Sequence, residues 1–141
     1  MMTQNEKIVF VNASEHKKGN TYRVGKKILA GKDYEELDLI DYKIYQIGQN
    51  FSDDQFELVL DKLKKADTIV LGTPVYWHAM SGYLKVLLER ISQHYEQNAL
   101  AGRNLTVIIQ GFEPSDTIAP TKAIIKRFAK VGQMKYFDIQ D

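Results

Sequence analysis

The stretch from Asp67 to Arg90 constrains the fold most, because its periodicity changes in mid-course: Asp-Thr-Ile-Val-Leu-Gly-Thr-Pro-Val-Tyr-Trp-His-Ala-Met-Ser-Gly-Tyr-Leu-Lys-Val-Leu-Leu-Glu-Arg. Thr68 to Leu71 is β-branched and apolar without polar alternation, the pattern of a strand covered on both faces, most often in a parallel sheet. Gly72 ends that run. Thr73 and Pro74 cannot extend a central strand, since proline lacks the ladder donor, so Val75, Tyr76 and Trp77 are expected on a loop. From Met80 the spacing becomes helical, with Met80, Leu84, Leu87, Leu88 and Ile91 on one face, and it predicts a helix to about Glu96. The turn between strand and helix is unusual, because a proline and two large aromatics stand where connections are ordinarily small and polar. Either Tyr76 and Trp77 fold back onto the helix as core, or they form a wall for a flat apolar ligand, on which aromatic faces stack.

The rest of the chain repeats the same unit. Lys7 to Val11 is a second buried strand that stops at Asn12, followed by the polar loop Ala13-Ser14-Glu15-His16-Lys17-Lys18-Gly19-Asn20-Thr21. Val24, Ile28 and Leu29 then fall at helical spacing, with Asn20 as the expected N-cap and Gly31 as the stop. A strand feeding a polar loop that opens a helix is a phosphate-binding geometry, because the free N–H groups and dipole of the first turn face the loop. Standing alone, the loop reads first as a capped helix start, and it matches neither Gly-x-Gly-x-x-Gly nor the Gly-Lys-Ser/Thr ending of a Walker loop.

Glu35 to Ile40 is a weaker, alternating strand suited to a sheet edge. Tyr42, Ile44, Tyr45 and Ile47 make the following segment, Asp41 to Phe51, too apolar to be free in solvent. Ser52 and Gln55 read as a capping box for a helix lined by Phe56, Val59, Leu60 and Leu63. Asn104 to Ile109 is a fourth strand, Gly111 to Asp116 its loop, and Ile124, Ile125, Phe128 and Val131 mark a helix that Gly132 ends, with Pro120 a candidate for its first turn. Met134 to Ile139 is the fifth strand.

Alternating strands and helices predict one three-layer α/β domain over residues 1–141, with a five-stranded parallel sheet in the order 2-1-3-4-5. In that order the first and third strands are neighbours whose outgoing connections diverge, so the loops Ala13–Thr21 and Thr73–Trp77 converge on one crevice. Phosphate cradle and aromatic wall together favour a phosphorylated flat cofactor. Other classes are disfavoured. A net charge of +1 with interspersed signs gives no reason to expect nucleic acid or an anionic membrane as partner. No cysteine is present, and His16, His78 and His94 share no ligand spacing, so no metal site is expected. No signal-peptide core or apolar run of membrane-spanning length appears, so a cytoplasmic protein is expected.

The run Gly72-Thr73-Pro74-Val75-Tyr76-Trp77, continued by Ser81-Gly82, Lys85 and Glu89-Arg90, is similar to the strand-loop-helix signature of the flavodoxin-like NAD(P)H-dependent FMN reductase family. Ser14 followed by Gly19-Asn20-Thr21 resembles that family's phosphate loop. The resemblance covers nearly the whole chain and implies FMN as cofactor, with NADPH or NADH as electron donor. By position, Ser14, Gly19, Asn20 and Thr21 would hold the phosphate, with His16 where many relatives have an arginine and Ala13 where many have glycine. Pro74, Val75, Tyr76 and Trp77 would contact the isoalloxazine, and Gly111 with Phe112 would stand in the third flavin loop. The family fold normally closes with a helix after the fifth strand, which this sequence lacks.

The resemblance implies an oxidoreductase that passes a hydride through FMN to a small acceptor such as a quinone or flavin, with no catalytic acid or base of its own. Lys85, Glu89 and Arg90 lie at i, i+4 and i+5 and are expected as a structural ion pair. A flavodoxin-type electron carrier is the alternative, but such carriers usually present a strongly acidic face, unlike this balanced chain. A flavin-free scaffold that kept the fold is the third reading. The missing final helix predicts an uncovered sheet face over the first and third strands, to be closed by a second copy in a homodimer or by the segment Tyr42–Phe51.

Overall fold

The computed structural model describes residues 5–93 and 98–139. In chain order its elements are β1 (Ile8–Asn12), α1 (Asn20–Ile28), β2 (Tyr34–Asp38), α2 (Phe56–Lys64), β3 (Thr68–Tyr76), β4 (Ala79–Met80), α3 (Gly82–Ser92), β5 (Asn104–Gln110), α4 (Ser115–Val131) and β6 (Lys135–Tyr136). The parallel strands lie in the order β2-β1-β3-β5-β6, which is the expected 2-1-3-4-5 path. Beyond it, β4 adds a two-residue antiparallel strand against β3.

The unbroken apolar runs exist because each central strand serves two cores. Ile8, Phe10, Val70 and Ile108 face one layer, where Val24, Ile28 and Leu29 of the α1 region pack on them. Val9, Val11, Ile69, Leu71, Leu105 and Val107 face the other, beneath α2, α3 and α4. Side chains alternate across a strand, so a strand apolar at every position is a strand covered on both sides. The first layer is close-packed: a Cβ on Gly25 or Gly72 would lie 2.5 Å and 2.7 Å, respectively, from the Phe10 ring. Gly25 lets α1 settle on that ring, which fixes the direction in which α1 points its first turn.

Several expectations need correction. The strand residues expected to lie uncovered, Ile8, Phe10 and Val70, are at most 3% exposed within the single chain. The segment after β2 does not cover that layer, because Tyr42 and Ile44 pack on the opposite core. β3 does not stop at Leu71 but runs through Thr73 and Pro74 to Tyr76. Gly72 turns its carbonyl to β1, accepting from the Ala13 N–H at 2.9 Å, so by strand alternation Pro74 also faces the β1 side, where β1 has already ended. The missing proline N–H therefore breaks no ladder.

The helix ends also differ from the expected ones. Met80 belongs to β4, and α3 starts after Ser81, whose Oγ accepts from the Leu84 N–H at 3.2 Å. The predicted end of that helix at Glu96, like His94, lies outside the described residues. No Ser52–Gln55 capping box forms: Gln55 Oε1 accepts from the Lys43 N–H at 2.8 Å, and Asp54 caps the Phe56 N–H at 2.8 Å. Gly19, not Asn20, is the N-cap of α1. α4 begins before Pro120, which lies inside it. β2 gives way at Leu39–Asp41 to a 3-10 turn, and β6 is short because only Lys135 and Tyr136 pair with β5, followed by one bond from the Phe137 N–H to Leu105 O at 3.0 Å.

Candidate functional site

The C-terminal ends of β1, β3 and β5 lie side by side, with Asn12 opposite Gly72 and Pro74 opposite Gln110. The loops that leave them are therefore neighbours, as the strand order requires.

The loop after β1 wraps around a buried asparagine. Asn12 Oδ1 accepts from the Ser14 N–H at 3.1 Å, while its Nδ2 donates to His16 O and Lys17 O, both at 3.2 Å, and to Asp38 Oδ1 at 3.1 Å. Ser14 Oγ in turn accepts from the His16 N–H at 3.0 Å. Among the described residues, nothing in the protein accepts the N–H groups of Lys17 and Lys18. The first helical bond of α1 runs from the Arg23 N–H to Gly19 O, so the N–H groups of Asn20, Thr21 and Tyr22 are the free donors of a helix start. These donors border an open basin of ≈ 650 Å³ formed by residues 15–20 and Arg23. Its charge is mostly positive, although Glu15 pairs with His16 at 3.2 Å and Lys17 with Asp41 at 2.9 Å.

Two of the expected phosphate residues are engaged elsewhere. Thr21 is buried and its hydroxyl donates to Gln110 Oε1 at 3.4 Å, whereas Asn20 Oδ1 accepts from Arg23 at 2.8 Å. Gly19 admits no side chain without a shift, since a Cβ there would lie 3.0 Å from His16 Cβ.

The aromatic residues after Pro74 form a hairpin, not an open loop. Val75 pairs with Met80 and Tyr76 with Ala79, leaving Trp77 and His78 as the two turn residues at φ 48° and 61°. Positive φ at both positions is type I′ geometry, which suits the twist of a hairpin but ordinarily takes Asn or Gly. Holding two bulky residues there costs on the order of 1 to 3 kcal/mol each. The strain has a visible consequence: Trp77 stands 90% exposed and is not core. Tyr76 points the other way, and its hydroxyl accepts from the Glu15 N–H at 3.1 Å, tying the hairpin to the loop after β1.

The loop after β5 closes the third side. A Cβ on Gly111 would lie 2.8 Å from Val75 Cγ2, so this loop passes directly against β3. Phe112 follows, fully exposed. His78 Nδ1 meets Asp116 Oδ2 at the start of α4, and this contact holds the Asp116 carboxyl below its ordinary range. Hairpin and α4 are thereby joined next to the two exposed aromatic side chains.

The structure thus brings Ser14, His16, Gly19, Asn20 and Thr21 to one side of the strand ends, and Pro74, Val75, Tyr76, Trp77, Gly111 and Phe112 to the other. Asn12, Gln110 and the His78–Asp116 pair escaped sequence reasoning. An asparagine at the end of a wholly apolar strand was the available signal for the first. Lys85 and Glu89 pair at 3.2 Å on the exposed face of α3, as expected, but Arg90 instead grips Asp54 at 2.6 Å and Tyr45 O at 2.8 Å. Burial works to raise the Asp54 carboxyl, but bonds from Arg90 and the N–H groups of Phe56 and Tyr45 outweigh it and hold the group below its ordinary range. A separate cavity of ≈ 390 Å³ between the Leu39–Gln49 segment and the first turns of α3 is lined by none of the expected cofactor residues. Among the described residues there is no cluster of three metal-ligating side chains, and no helix is long and apolar enough to cross a membrane.

This arrangement has clear relatives. The solved structure of the Trp repressor binding protein from Bacillus subtilis superposes with a TM-score of 0.74 over 93% of this chain and 83% of its own, at 22% identity, which establishes a shared fold. In sequence, the chain is 30% identical over 95 residues to YwqN of Bacillus subtilis, named as an NAD(P)H-dependent FMN-containing oxidoreductase, covering 62% of this chain and 52% of that protein. It is 31% identical over 98 residues to an iron-sulfur flavoprotein of Methanocaldococcus jannaschii, covering 60% and 51%. The chain thus spans about half the length of the curated relatives it matches. The family model described as NADPH-dependent FMN reductase matches residues 6–137, nearly the whole sequence. The chain belongs to the NADPH-dependent FMN reductase family.

Proposed function

We propose that this chain is an FMN-dependent oxidoreductase that takes electrons from NADPH or NADH and delivers them to a small acceptor such as a quinone or a free flavin. The observation that carries the reading is the Tyr76–Glu15 bond, which joins an anion-binding loop to a strained aromatic hairpin at the junction of β1 and β3. The donor set fits FMN. The N–H groups of Lys17, Lys18 and the first turn of α1 would meet the phosphate, with Ser14 shaping the loop and Asn20 and Thr21 at its border. His16 lines the same basin. Trp77 and Phe112 present apolar faces to water, as a stacking surface for a planar ring must before the ring arrives. Pro74, Val75 and Gly111 would supply rigid backbone along the ring edge.

FMN, when bound, supplies the hydride chemistry; the chain binds, orients and shields it. Donor and acceptor would use one exposed face in turn, which predicts ping-pong kinetics. The exposed Ile47 and Phe51 support a homodimer formed over the Tyr42–Phe51 segment, not over the α1 layer. The cysteine-free composition supports a place in the cytoplasm. The deciding experiment is anaerobic rapid mixing of the FMN-loaded protein with NADPH and with NADH. Loss of the oxidised flavin absorbance with at least one of them is expected, and an unchanged spectrum with both overturns the reading. Sedimentation equilibrium tests the dimer, which a monomer at every concentration would exclude.

A further inference from the structure

We propose that Asn12 is the positioning residue of the anion-binding loop: without contacting the ligand, it sets the direction in which the loop aims its N–H groups. The inference rests on the FMN reading above. Asn12 is fully buried at the end of β1, and its amide spans the whole turn, accepting from the Ser14 N–H and donating to His16 O and Lys17 O. In a trans peptide the C=O and the following N–H point in opposite directions. Fixing the carbonyls of His16 and Lys17 on a buried amide therefore turns the N–H groups of Lys17 and Lys18 outward, away from Asn12. Those are two of the donors that no protein group accepts among the described residues. Remove the amide, and the same two carbonyls are free to swing outward, presenting negative ends to an incoming phosphate. The third acceptor, Asp38 Oδ1 on β2, holds the Asn12 side chain from behind at 3.1 Å. A carboxylate at position 12 could not substitute, because it would face two carbonyls and Asp38 with no proton to donate.

The proposal separates phosphate recognition from ring recognition, and so does its test. FMN and riboflavin share the ring and differ in the phosphate, so their dissociation constants are measured for the parent, Asn12→Ala and Asn12→Asp by quenching of flavin fluorescence, with thermal melts alongside. FMN affinity should fall by about ten-fold or more in both variants, since more than one charge-assisted bond is misdirected. Riboflavin affinity should stay within about two-fold, the margin expected when the ring contacts are untouched. Parallel loss of both ligands, or loss of neither, overturns the proposal. If the buried variants do not fold, Asp38→Ala decides: it lies on the edge strand, and it should lower the FMN-to-riboflavin preference several-fold, an unchanged preference refuting the role of Asn12. A parent protein that binds FMN no better than riboflavin would instead overturn the phosphate site itself.

Discussion

The two sides of the strand-end crevice are built in opposite ways. On the β1 side the loop is drawn inward around Asn12, and nearly every bond is short-range and protected. On the β3 side the hairpin pushes Trp77 outward through two positive-φ residues, and Phe112 on the β5 loop is exposed without such strain. The difference teaches what each kind of recognition requires. A charged group is bound by oriented dipoles, which must be fixed before the ligand arrives or their reorganisation opposes binding. A flat ring is bound by area, so its partner need only be kept from collapsing onto the core. The first requirement is met by burial and hydrogen bonds, the second, at Trp77, by backbone strain.

The sharpest way to break the β1 side is to disturb the packing that aims α1. Gly25→Ala would set a Cβ about 2.5 Å from the Phe10 ring, in a layer with no slack. Overpacking of this kind costs about 1 to 3 kcal/mol, so the melting temperature should fall by several degrees, as calorimetry would record. A variant that melts with the parent would mean that the layer relaxes freely, and the rigidity ascribed to this side would be wrong.

Next in size is the bond that joins the two sides. Tyr76→Phe keeps the ring and removes only the hydroxyl that accepts from Glu15. Such a bond contributes about 0.5 to 1.5 kcal/mol. We expect a small loss of stability together with a several-fold weaker FMN affinity, measured by titration, because the hairpin would no longer be registered on the loop. An unchanged affinity would show that the sides are positioned independently.

A smaller effect should appear with pH. Burial and a bond to Asp38 push the Glu36 carboxyl up to about 7, against partial relief from Lys18 and Lys17. A carboxyl that holds its proton more tightly when folded contributes stability that is present below its ordinary range and is lost as pH rises to about 7. Glu36 is only half-buried, so screening keeps the effect within about 1 kcal/mol. Denaturation midpoints measured between pH 4.5 and 7.5 should decline for the parent and decline less for Glu36→Gln; identical slopes would remove Glu36 as the cause.

The same contrast explains what could be read from the sequence. β1, β3 and β5 were legible because a strand buried on both faces is written in consecutive residues, and their order brought the two loops together. What stayed hidden depends on partners distant in the chain. Pro74 is tolerated in β3 only because the neighbouring β1 ends first, which no local pattern records. Gln55 resembled a capping residue, but its side chain is spent on Lys43. Asn12 looked like a strand stop, since the carbonyls and the Asp38 carboxylate it binds are defined only by the folded turn. His78 and Asp116 are separated by 38 positions and meet only because β3 and β5 are neighbours. The residues bearing exposed aromatic rings were the easier half, because Trp77 and Phe112 are conspicuous wherever a turn is expected.

The smallest expected effect on stability is the one that tests the strained side most directly. Trp77 sits at φ 48° with 90% of its surface in water, so its indole contributes little to the core and its backbone opposes folding. Asparagine adopts positive φ more readily than a bulky residue does. Trp77→Asn should therefore leave stability within about 0.5 kcal/mol of the parent, or raise it slightly by relieving the turn. Flavin affinity should nonetheless fall several-fold for FMN and riboflavin alike, because on the proposed reading the lost surface would stack on the ring and not touch the phosphate. That equality is the mirror image of the selective loss expected at Asn12. If Trp77→Asn destabilises the protein by more than about 1 kcal/mol in denaturant titrations, the indole is part of the fold. If it weakens FMN but spares riboflavin, the division of the crevice into a phosphate side and a ring side is wrong.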